Sequence, residues 1–118
     1  MIMDISHQNG TMSVTGIREL NAANAQRFHS AVATALLPDL RAIEIDLSYT
    51  QVVDGAGLGA LVSLYEAASK NRNKIGFAIR LTNPSPSVQQ IIELARLHHL
   101  FEITPTGSTT DRVPRQET

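Results

Sequence analysis

Ile43-Glu44-Ile45-Asp46-Leu47-Ser48-Tyr49-Thr50-Gln51-Val52-Val53-Asp54-Gly55-Ala56-Gly57-Leu58-Gly59-Ala60-Leu61 is the stretch whose reading decides the fold. Its first part alternates: Ile43, Ile45 and Leu47 are apolar, while Glu44 and Asp46 between them are polar. That period of two marks a strand with one buried and one polar face. The alternation stops at Ser48, and Ser48 to Val53 reads as a loop. Asp54 then offers a carboxylate where a helix needs an N-cap. From there Leu58, Leu61, Val62 and Tyr65 recur at helical spacing, which predicts a helix through about Asn71. Ile75, Phe77, Ile79 and Leu81 return to strand alternation. Strand, helix and strand together imply one right-handed crossover between parallel strands.

Upstream, Met1, Met3 and Ile5 alternate with polar residues, and Met12 and Val14 do so again after Asn9-Gly10. Asn-Gly between two alternating runs predicts a tight hairpin. Gly16 ends it. An alanine-rich stretch from Asn21 to about Leu36 carries Ala25, Phe28, Val32 and Ala35 at helical spacing, with Asn21 as the expected N-cap and Pro38 as the stop. Downstream, Ser85 and Pro86 open a helix with Val88, Ile91, Ile92 and Ala95 on one stripe, running to roughly Leu97. Leu100, Phe101 and Ile103 form a last short strand or turn. The expected fold is α/β, a mixed sheet of four to five strands with helices packed mainly on one face, because several strands carry one polar face. Residues 1–104 form one domain in this reading, and 105–118, almost without apolar side chains, form a polar, frayed tail.

Composition narrows the functional classes. With 118 residues there is room for one core; apolar residues are 42% and charged residues 18%, as in ordinary globular domains. A net charge of -1 without a Lys/Arg cluster argues against nucleic acid as a partner. The absence of cysteine excludes disulfides and thiolate chemistry and fits a cytoplasmic location. The start of the chain lacks a signal-peptide pattern, and no run is apolar enough to insert in a membrane.

The quoted stretch, together with Leu81-Thr82-Asn83-Pro84 and the ending Leu100-Phe101-Glu102-Ile103, resembles the STAS family of anti-sigma factor antagonists and related adaptors. The resemblance is close over Ile43 to Ile103 and looser over Gly16 to Asn21. It implies a non-enzymatic binding module without cofactor or metal. Members that act in partner switching hold an Asp-Ser-Ser-Gly-like motif at this helix start, and its second serine is phosphorylated by a partner kinase. By that resemblance the phosphoacceptor-equivalent position is Ala56, which has no oxygen to phosphorylate. A member that does not switch, one that switches at another hydroxyl, and a serine replaced by alanine all fit. The implied partner is an anti-sigma factor or serine protein kinase, with a PP2C-type phosphatase as a further candidate. The implied partner-binding residues are Asn21, Ser48, Thr50, Asp54, Gly55, Ala56, Gly57 and Leu58. The alternative is a STAS adaptor subunit that binds an ABC-transporter ATPase of the lipid-transport type.

Each notable residue also has a plainer reading. Asp54 is first a helix cap. Gly55, Gly57 and Ala60 match a dinucleotide fingerprint formally, but Ser48 to Asp54 separate the strand from the first glycine, so close backbone packing is preferred. Ser48 and Thr50 are expected as loop hydroxyls, solvated or open to modification. Ser63 has no nucleophile-elbow setting. His98 and His99 are neighbours that diverge on a helix and lack companion ligands. Leu58, Leu61 and Leu64 are expected in the core more than in an exposed groove.

Overall fold

The structure is a computed structural model that describes residues 3–68 and 76–104. The chain opens with β1 (Asp4–Gln8) and β2 (Thr11–Thr15), paired antiparallel with Gln8 opposite Thr11. Asn9 and Gly10 alone connect them, with φ of 54° and 82°. Two positive φ values are what a type I′ turn requires, so the Asn-Gly reading holds.

After β3 (Glu19–Leu20) comes α1 (Ala25–Ala35), then β4 (Ala42–Asp46), β5 (Val52–Val53), α2 (Gly55–Ala67), β6 (Ala78–Thr82), α3 (Pro86–Leu94), a 3-10 turn (Leu97–His99) and β7 (Glu102–Thr104). The main sheet has five strands in the order β1-β2-β4-β6-β7. Every pair after the hairpin is parallel. Each crossover therefore steps the same way across the sheet. Right-handed connections taken repeatedly in one direction place all their helices on one face, and the burial pattern agrees. Met12, Val14, Ile43, Ile45, Ile79 and Leu81 are buried in one cluster with Phe28 and Val32 of α1, Leu61 and Leu64 of α2, and Val88 and Ile92 of α3. Neighbouring residues point to the other, polar face. There Arg80 pairs with Glu44 at 3.4 Å and Glu102 at 3.1 Å across three adjacent strands.

The structure corrects several details. Asn21 does not cap α1; Asn24 stands at the N-cap and the helix begins at Ala25. Asn21 instead starts a turn, its carbonyl accepting from the amides of Asn24 at 3.1 Å and Ala25 at 2.8 Å. The third helix stops at Leu94 rather than near Leu97, because Arg96 turns left-handed with φ 62°. Ala95 is consequently exposed and Leu97 is buried from the 3-10 turn. Asp54 caps α2 as expected, and the helix ends at Ala67. Leu61 and Leu64 are core residues, while Leu58 is half-buried. The expected helix end at Asn71, the strand residue Ile75, Met1 and the tail 105–118 lie outside the described residues.

A small second sheet was not foreseen: β3 pairs parallel with β5, Glu19 opposite Val52 and Leu20 opposite Val53. Two residues per strand carry too little alternation to be read from sequence. This ladder is what positions the candidate site.

Candidate functional site

Between β4 and α2 the chain has to leave the sheet and turn back over it. Side chains hold that path. Asp46 accepts the Ser48 hydroxyl at 2.8 Å, the Ser48 amide at 3.3 Å and the Asn83 side-chain amide at 3.2 Å. Thr50 lies inside, 2% exposed, and its hydroxyl donates to the Ile17 carbonyl at 2.6 Å. Thr50 is thus no open loop hydroxyl: it satisfies a buried carbonyl that would otherwise cost desolvation energy. Its assignment to a partner surface is corrected accordingly. Ser48 is exposed, but its hydroxyl proton is taken by Asp46.

Main-chain bonds then run alongside the segment before α1. The Gln51 amide donates to the Arg18 carbonyl at 2.8 Å, and the Asp54 amide to the Leu20 carbonyl at 3.1 Å. Asp54 finishes the ladder with its side chain. Its Oδ1 accepts from the Gly57 amide at 3.0 Å and its Oδ2 from the Ala22 amide at 3.3 Å. The first is the N-cap bond the sequence predicts; the second reaches a residue 32 positions upstream.

The helix start itself is chemically bare. Gly55, Ala56 and Gly59 are exposed, so nothing larger than a methyl group projects from its outer side. Gly57 faces inward. A Cβ there would overlap the Leu20 carbonyl oxygen and sit 2.7 Å from its carbon, so only glycine lets α2 rest on β3. Gly55 and Gly59 carry no such demand, since a Cβ at either meets nothing within 4 Å. The demand for glycine here is therefore one of backbone packing, and it falls on Gly57.

Of the expected set, Asp54, Gly55 and Ala56 gather on one accessible surface, with Leu58 half-buried at its edge and Asn21 half-buried in the adjoining turn. Gly57 supports that surface from below. Two residues of the preceding loop that the sequence reading passed over are also exposed: Tyr49 at 69% and Val52 at 49%. An aromatic and a valine inside a Ser/Thr/Gln-rich loop were the available signal, but which face Val52 presents depends on β5 pairing with β3. A depression of about 420 Å³ lies elsewhere, lined by Tyr65, Phe77, His98, Phe101 and Glu102 among others, and includes none of the α2 start. His98 and His99 are exposed on the 3-10 turn with ring centroids 4.2 Å apart, and among the described residues no group of three or more His, Cys, Asp or Glu side chains could hold a metal ion.

The STAS domain profile matches residues 3–111. The chain belongs to the STAS domain family. Solved structures agree with this STAS fold. An anti-sigma factor antagonist from Mycobacterium paratuberculosis is 24% identical with a TM-score of 0.72, over 89% of this chain and 86% of that one. The anti-sigma factor antagonist SpoIIAA in its unphosphorylated form is 17% identical with a TM-score of 0.69, over 94% and 95%. The murine anion transporter Slc26a9 is 24% identical with a TM-score of 0.66, over 85% of this STAS domain but only 17% of the transporter. At these identities the likeness is one of fold. No curated protein matches the chain by sequence. Among the described residues no helix is long and apolar enough to cross a membrane.

Proposed function

We propose that this STAS domain is a protein-binding module of the anti-sigma factor antagonist type, docking an anti-sigma factor or serine protein kinase through the loop before α2 and the start of that helix. The observation that supports this reading most is the surface around Ala56: a helix start without bulky side chains, preceded in the chain by a loop with exposed Tyr49 and Val52. The loop beneath them is tied by the Asp46 and Thr50 hydrogen bonds, so little backbone freedom is lost when a partner covers it. Exposed aromatic and aliphatic side chains on such a frame are efficient binding anchors.

Ala56 gives the module its regulatory character. A phosphoserine at a contact position would add about -1.5 to -2 charges to the interface and eject the partner. Alanine cannot accept that group, so binding persists unless another event ends it. The test is calorimetric titration of the domain with a purified anti-sigma factor kinase from the same organism. Binding is expected, weakened at least about tenfold by Ala56→Glu. Ala56→Ser should make the protein a substrate of that kinase, detected as a phosphate mass increment. Unchanged affinity in Ala56→Glu would move the interface away from α2.

The missing acceptor hydroxyl also favours a second reading, a STAS adaptor that binds an ABC-transporter ATPase without phosphoswitching. Co-purification of the native chain with such an ATPase and its membrane subunits, in place of a kinase or anti-sigma factor, would establish it.

A further inference from the structure

Within the proposed docking surface, Asp54 is the one exposed carboxylate at the helix start, which invites the view that it contacts the partner. Its geometry gives it an internal task. Both oxygens are engaged inside the protein: Oδ1 by the Gly57 amide of α2, and Oδ2 by the Ala22 amide in the turn that precedes α1. That turn is otherwise organised by its own asparagines. The Asn21 side chain accepts from the Ala23 amide at 3.0 Å, the Asn24 side chain accepts from the Asn21 amide at 2.9 Å, and Asn24 donates to the Glu19 carbonyl at 2.7 Å. Alongside the Asp54 amide on the Leu20 carbonyl, the Ala22 bond ties this turn to the start of α2 through a side chain.

We propose that Asp54 is a positioning residue: one carboxylate clamps the exposed Ala22-Ala23 turn beside the exposed Gly55-Ala56 helix start, making a composite docking surface from segments 32 residues apart. The proposal rests on the function proposed above. It makes Ala22 and Ala23 part of the contact surface and has Asp54 act through them. A helix cap needs a single acceptor oxygen; the clamp needs two, because each amide takes its own. Asparagine therefore separates the tasks. It caps a helix as well as aspartate does, but its second polar atom is a donor that faces the Ala22 N–H and cannot accept from it.

The Ala22 side of the clamp can be silenced independently. Ala22 is the second residue of the turn closed by the Asn24 amide on the Asn21 carbonyl, a position that accommodates proline, and proline has no N–H to donate. The experiment is a double-mutant cycle with Asp54→Asn and Ala22→Pro, read by affinity for the anti-sigma factor kinase and by amide hydrogen exchange in the free protein. Each single variant is expected to weaken binding about tenfold at unchanged melting temperature, and the double variant no further. In free Asp54→Asn, the Ala22 amide should exchange faster while the Gly57 amide keeps its protection. Additive losses, or full affinity in Ala22→Pro beside a weakened Asp54→Asn, would make Asp54 a direct contact and overturn the clamp. Should the wild-type domain bind no anti-sigma factor kinase, the proposed function fails, and exchange alone decides the clamp: an unchanged Ala22 rate in Asp54→Asn overturns it.

Discussion

The α2 and α3 helices begin by the same local chemistry and come to different ends. Asp54 accepts from the Gly57 amide at 3.0 Å, and Ser85 from the Val88 amide at 3.3 Å; each cap stands three residues before the amide it satisfies. At that third position α2 has glycine and α3 has a fully buried valine. One position before it, α2 has exposed Ala56 and α3 exposed Ser87, whose hydroxyl lies 3.3 Å from that of Ser85. The difference is what each helix meets. The α3 start enters the core through a side chain, whereas α2 rests on the Leu20 backbone and must give up its side chain to do so. Capping is local and makes a helix; a docking surface arises only where another segment is brought alongside.

The strongest way to break this comparison is to exchange the requirements. Gly57→Ala is expected to destabilise the domain by about 3 kcal/mol, because the new methyl meets backbone rather than a movable side chain. Val88→Ala should cost about 2 kcal/mol for the opposite reason, a cavity. Urea unfolding midpoints measure both, and a Gly57→Ala variant as stable as wild type would mean α2 does not rest on β3. Next in size, Thr50→Val is expected to cost about 1.5 kcal/mol by leaving the Ile17 carbonyl unsatisfied in the interior. A neutral outcome in thermal unfolding would show that water replaces the hydroxyl and that this loop is less tightly held than α3's approach.

Ser85→Ala should remove about 1 kcal/mol through loss of its cap while leaving partner affinity intact, since Ser85 is not among the residues proposed to meet the partner. Paired calorimetry on the folded variant would sharpen the contrast with Ala56→Glu, whose effect is expected in binding. The smallest effect belongs to Ala56→Ser. At an exposed helix start it should change stability by less than about 0.5 kcal/mol, so any altered binding after kinase treatment would be attributable to phosphate.

Where local signals were sufficient, reading the chain worked well. Asn9-Gly10 fixed a two-residue hairpin because both positions accept positive φ. The alternation at Ile43, Ile45 and Leu47 located the central strand, and Asp54 and Ser85 located two helix starts. Asn21 misled, because an asparagine also stabilises a turn, and the helix starts three residues later behind Asn24, whose side chain bonds within that turn instead of capping. Thr50 misled as well: its neighbours look like solvent-exposed loop, and its burial follows from an acceptor 33 residues away.

The sequence by itself determined the period-two and helical patterns, the turn and capping chemistry, the single core and the alanine at residue 56, all of which depend on side chains within a few positions of one another. Tertiary structure alone decided that β3 pairs with β5, that Thr50 turns inward, that Gly57 is indispensable where Gly55 is not, and that Val52 stays exposed on β5. The physical reason is that each of these rests on contact with the segment from Ile17 to Ala22, remote in the chain, whose carbonyls and amides carry no mark in the one-dimensional pattern of side chains.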